Sequence, residues 1–146
     1  MTPDTVTRIV ALGTITGMRS TAGPLAFALR ANSPLKALFG LMAAGEMAAD
    51  KTSLVGNRID PVPLAGRAAI GAFVGGLTAR RAGASTPLGA LLGAAAAVSA
   101  AHLAYRIRTH LPLSNGLGGV LEDALVLGAA ALYASGSMVP ARAAQR

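Results

Sequence analysis

The 146-residue chain is 53% hydrophobic and only 13% charged, with a mean hydropathy of +0.54, whereas an ordinary soluble domain carries about 25% charged residues. Ala and Gly dominate the apolar fraction and aromatics make up 3%, which suits helices that meet by close backbone approach in lipid better than a core in water. The net charge of +7 is scattered singly or in pairs without interleaved aromatics, which argues against nucleic acid and for helix ends at anionic headgroups; the lack of Cys excludes disulfides, thiolate metal sites and a thiol nucleophile.

The start, MTPDTVTR, has no basic stretch leading into a long apolar run and cleavage site, so no cleaved signal peptide is expected and the first membrane segment directs insertion. Apolar segments follow at about 6–29, 35–49, 62–79, 87–105 and 117–139. They predict an all-α fold: a polytopic, multi-pass transmembrane helix bundle of about five membrane segments, a single transmembrane helical domain over 1–146. A bilayer core takes about 20 helical residues. All but the second segment reach that length, and the second needs its polar end in a cavity.

Arg19 is the only charge between Ile9 and Leu29, a costly placement in hydrocarbon. Gly17, Ser20, Thr21, Gly23 and Pro24 surround it, so the first segment is expected to break near Arg19–Pro24. The N–H groups opening the second half, together with Arg19, can hold an anion; alternatively Arg19 pairs with a buried carboxylate and fixes packing. In the second segment Glu46 and Asp50 lie four apart on one helix face, next to Lys51. Such a pair repels unless Arg19 or Lys51 neutralises it, and it can accept a proton or bind a cation; the bland alternative puts Asp50 and Lys51 at the membrane interface.

Residues 82–105 contain no charge at all, the plainest span in the chain, with Thr86-Pro87 as its start. The last segment carries Glu122 and Asp123 in its first turns, where acids favour the helix dipole. Neighbouring positions diverge by about 100°, so at most one aims into a shared cavity, with Arg106 and Arg108 as partners. Gly13-x-x-x-Gly17, Gly71-x-x-x-Gly75 and Gly89-x-x-x-Gly93 read as helix-packing stripes.

If all segments span, Arg8, Lys51, Arg58, Arg67, Arg106 and Arg108 lie on one side and Arg30, Lys36, Arg80, Arg81, Arg142 and Arg146 on the other, six against six. That balance leaves either insertion open, an antiparallel homodimer included. A faint repeat, Arg19 then Glu46/Asp50 and Arg106 then Glu122/Asp123, has the parity of an inverted-topology repeat, because the first and fourth segments are expected to run oppositely.

Taken together, Gly17-Met18-Arg19-Ser20, Ala44-Gly45-Glu46 with Asp50-Lys51, Leu64-Ala65-Gly66-Arg67 and Leu121-Glu122-Asp123 resemble the bacterial membrane family catalogued as domain of unknown function 4126, over about residues 13–132. The resemblance implies a location in the bacterial cytoplasmic (inner) membrane and a multi-helix fold, adds Arg67 to the candidate residues and implies no activity. The function expected first is a small transporter or channel-like protein for an anionic or proton-coupled small solute. Its polar site draws on Arg19, Ser20, Thr21, Glu46, Asp50, Lys51, Arg67, Glu122 and Asp123, with Arg19 binding the anionic group and Glu46 carrying the proton. The alternative is a structural or accessory membrane protein in which these residues form packing ion pairs. No enzyme is expected, since no nucleophile–base pair or metal triad is recognisable, and neither is a cofactor or metal. Expected partners are the lipid bilayer, a small solute or ion, and a second copy of the chain in a homo-oligomer.

Overall fold

The computed structural model describes residues 1–49, 59–110 and 115–138. These form six helices and no strand: α1 (Pro3–Met18), α2 (Ala22–Arg30), α3 (Lys36–Ala49), α4 (Pro61–Arg81), α5 (Thr86–His110) and α6 (Asn115–Ser135). α4, α5 and the Leu117–Ser135 part of α6 are long and apolar enough to cross a membrane. α1, α2 and α3, at 16, 9 and 14 residues, extend roughly 24, 14 and 21 Å at 1.5 Å per residue, short of the roughly 30 Å hydrocarbon core. About five spanning segments were expected; among the described residues three helices meet the length and composition required.

The distribution of side chains is the reverse of a soluble globule. Large apolar groups such as Val62, Leu41, Leu91, Leu125 and Phe73 point outward, whereas Arg19, Arg67, Glu122 and Asp123 are buried. Exposed apolar surface on this scale is a liability in water and an asset against lipid chains.

Glycine sets the closest packing. A Cβ added to Gly13 would sit 2.6 Å from the Ala96 Cβ and 2.7 Å from the Gly93 carbonyl oxygen, while one on Gly17 would collide with Ala97 O. Contact positions rise together along the two chains, so α1 and α5 run parallel. A Cβ on Gly71 would meet Gly93 O at 2.6 Å, and Gly75 faces Gly89, so α4 and α5 run antiparallel. The three four-residue glycine spacings thus build one seam through α1, α5 and α4, where backbones approach with nothing larger than an alanine methyl between them.

The first segment breaks where expected, at Arg19–Thr21, but it does not continue in the same direction. Thr5 and Arg8 of α1 and Phe27, Arg30 and Ala31 at the end of α2 line one cavity, and a Cβ on Gly23 would meet Thr16 Oγ1 and Leu12 O. α1 and α2 are therefore the two arms of a hairpin with Arg19 at its tip. This corrects two expectations. Arg8 and Arg30 belong to the same end of the bundle, which undoes the six-against-six tally: among the described residues, Arg8, Arg30, Lys36, Arg80 and Arg81 gather at one end, with Arg67, Arg106 and Arg108 toward the other. And because α1 and α5 run the same way, the opposite run expected of the first and fourth segments is not found.

The helix limits have local causes. α2, α4 and α6 each end beside a residue with positive φ, at Asn32 (47°), Gly83 (65°) and Gly136 (84°), a left-handed turn that closes a helix C-terminus. α6 consequently stops at Ser135 instead of reaching 139. α5 runs on past Tyr105 to His110 because Arg106, Ile107 and Arg108 still suit a helix, even though they end the apolar stretch.

Candidate functional site

The hairpin tip is where the candidate residues converge. Arg19 closes α1 in an extended conformation (φ −138°, ψ 116°) while its N–H still bonds Ile15 O. The side chain is thereby thrown across the bundle to α6, where Nε donates to Asp123 Oδ1 at 2.9 Å and Nη2 lies 2.6 Å from the same oxygen. Only 2% of Arg19 is exposed.

The first N–H groups of a helix lack intrahelical acceptors and carry the positive end of its dipole. At the start of α2 the acceptor comes from within the chain. Ser20 N and Ser20 Oγ donate to Glu46 Oε1 at 2.9 and 2.6 Å, and Thr21 N and Thr21 Oγ1 donate to Glu46 Oε2 at 2.9 and 2.6 Å. The carboxylate at the end of α3 thus accepts four hydrogen bonds, two on each oxygen, and a proton on either oxygen would displace one. The anion slot foreseen in the broken helix exists, and Glu46 fills it.

Two further pairs extend the cluster. Arg67 of α4 brings Nη2 to 3.9 Å from Glu46 Oε1, and Arg108 of α5 brings Nη1 to 3.7 Å from Glu122 Oε2. Arg19, Arg67 and Arg108 therefore balance Glu46, Glu122 and Asp123, three cations against three anions, drawn from all of α1 and α3–α6. Charges in a low-dielectric setting persist when each has a partner and its hydrogen-bonding capacity is met.

Of the nine residues singled out in the sequence, Arg19, Ser20, Thr21, Glu46, Arg67, Glu122 and Asp123 are brought together. Asp50 and Lys51 lie outside the described residues. Arg19 or Lys51 was expected to neutralise Glu46 and Asp50, with a buried carboxylate as the alternative partner of Arg19; such a pair is found with Asp123 of α6, and Glu46 is held by the Ser20 and Thr21 donors. Glu122 and Asp123 diverge as their helical spacing requires, one toward Arg108 and one toward Arg19. Of the two arginines foreseen as partners at the end of α5, Arg108 meets Glu122, while Arg106 is exposed.

Sequence reasoning missed a second polar region at the opposite end of the bundle, where Arg8, Arg30 and Arg81 line a cavity with Tyr133. The signal was available: Arg30 and Arg81 each occupy the last turn of a helix. Once the first segment is folded back as a hairpin, these turns come to the same end as Arg8.

No protein-family model matches the chain, and no curated protein or solved structure does so either.

Proposed function

We propose that the chain is a small multi-pass protein of the bacterial inner membrane with a structural or accessory role, in which the ionic cluster fixes how the α1–α2 hairpin docks against α3, α4 and α6. The observation that carries this reading is the sealed tip: Arg19 is 2% exposed and bonded to Asp123, and the α2 N-terminus is taken up by Glu46. A buried pair of this kind specifies register, and removing one partner strands the other charge at a cost of about 3–5 kcal/mol. Thermal unfolding in detergent tests it. Asp123→Ala should lower stability by about that amount, while Arg19→Met with Asp123→Leu restores most of the loss. A double variant as unstable as the single one would count against a register role.

A transporter or channel-like function is the second reading, favoured by a hairpin tip inside the bundle with ionisable groups around it, since charges held there are functional candidates by default. On this reading the cluster is the closed state of a path for an anionic or proton-coupled small solute. Opening frees Arg19 for the anionic group and Glu46 for the proton. Proton flux into proteoliposomes that is unchanged by Arg19→Ala combined with Glu46→Ala would sink it.

The kinship with the bacterial family named above belongs to this proposal and rests on the residues quoted for it. So does orientation. Among the described residues five basic side chains stand at the α1 N-terminal end and three toward the other, which favours a cytoplasmic N-terminus under the positive-inside rule. A homodimer would give so thin a bundle additional shielding.

A further inference from the structure

We propose that the cavity at the α1 N-terminal end of the bundle binds a phosphate group. The cavity holds about 240 Å³ and lies between the start of α1 and the ends of α2, α4 and α6, with Arg8, Arg30 and Arg81 and no carboxylate among its described lining residues. It is separate from the ionic cluster: from Asp123 to Tyr133 along α6 is roughly 15 Å at the helical rise.

Each arginine has a local reason to be there, yet together they leave donors unused. Arg30 Nη1 donates to Tyr133 O at 2.7 Å, a cation at a helix C-terminus where the dipole favours it. Its guanidinium also stands over the Tyr133 ring at 5.3 Å, and that of Arg81 over the Phe27 ring at 4.4 Å. Stacking engages the flat face of a guanidinium and leaves the N–H edge available; each group has five such donors in a planar fork. Arg8 Nε is buried and has no hydrogen-bond partner among the described residues, an unsatisfied donor of the kind a bound acceptor relieves.

Three like charges around one cavity repel one another in the absence of a counterion, and a tetrahedral dianion or diester offers acceptors spaced for guanidinium forks. The cavity is smaller than the roughly 300–1,000 Å³ of drug-sized sites, so it takes a headgroup and leaves the remainder of a ligand outside. Its height suits that, because α4 and α6, two of the helices long enough to cross a bilayer, end there. Basic pockets between helices at this level recognise anionic headgroups. The shared chemistry is phosphate, whether on a lipid or free in solution. The lipid source rests on the membrane reading above; the arginine site does not.

The test uses the full chain in detergent and follows the thermal midpoint against dioctanoyl phosphatidylglycerol, dioctanoyl phosphatidylcholine and inorganic phosphate. A ligand that binds the folded state raises the midpoint with concentration. A rise with phosphatidylglycerol and not phosphatidylcholine assigns a lipid phosphate; a rise with inorganic phosphate as well assigns the free ion. In either case Arg81→Gln, at an exposed position, should weaken the apparent affinity about tenfold, the scale of one charged hydrogen bond, and Arg8→Gln should do likewise. Arg80→Gln, outside the cavity, should leave it unchanged. No shift with any of the three probes, or a shift that survives both Arg81→Gln and Arg8→Gln, overturns the proposal. Vesicle flotation of the same protein reads membrane integration separately, so loss of that reading and loss of the site are told apart.

Discussion

Arg19 and Asp123 stand 104 positions apart in the chain and still meet at 2.6 Å. A lone charge in an apolar run has to meet an opposite charge, and that much was readable in the sequence, as were Glu46, Glu122 and Asp123 as the candidate acids. Which acid serves which base was not, because partner choice depends on where the tip of the hairpin points. At Ser20 and Thr21 each hydroxyl donates to one oxygen of Glu46. Ser20→Ala and Thr21→Ala should each destabilise the protein by about 1.5–3 kcal/mol, the worth of a hydrogen bond to a charged group, as measured by thermal unfolding in detergent. Glycines give the opposite test. Gly93→Ala drives a Cβ into Gly71 O and should destabilise strongly, whereas Gly66→Ala meets nothing within 4 Å and should gain about 0.5–1 kcal/mol from the helix preference of Ala. The same unfolding measurement separates the two.

At the scale of elements, the sequence located helices well because charge-free stretches and turn residues bound them. It misjudged the first segment. Gly17, Ser20, Thr21, Gly23 and Pro24 announced a break, but a break does not say whether the chain goes on or turns back. The turn is decided by packing: Gly23 lets α2 lie against Thr16 and Leu12 of α1. The hairpin makes a direct prediction. Since the chain has no Cys, single cysteines at Thr7 and at Ala31, both exposed, should react with a membrane-impermeant thiol reagent from the same side of oriented vesicles. Reaction from opposite sides would restore the single broken span.

For the molecule as a whole, the outward Leu, Val and Phe side chains and the inward charges form an inside-out pattern that composition had already suggested. The protein should resist extraction by alkaline carbonate and require detergent to stay dispersed; release by carbonate, followed by immunoblotting of the supernatant, would contradict a membrane-integrated bundle. The basic cavity escaped sequence reading for a reason that belongs to this scale. Arg8, Arg30 and Arg81 come from three different helices and look like ordinary end-of-helix charges until the topology gathers them.

The seam of α1, α5 and α4 carries a consequence for motion. Where peptide planes rest on one another, no rotamers can be exchanged to absorb a small displacement, so these three helices are bound to travel as one rigid chassis. Flexing falls to α2, α3 and α6, which carboxylate pairs rivet to the chassis at one end, while at the other α2 and α6 are tied to each other by Arg30 and Tyr133.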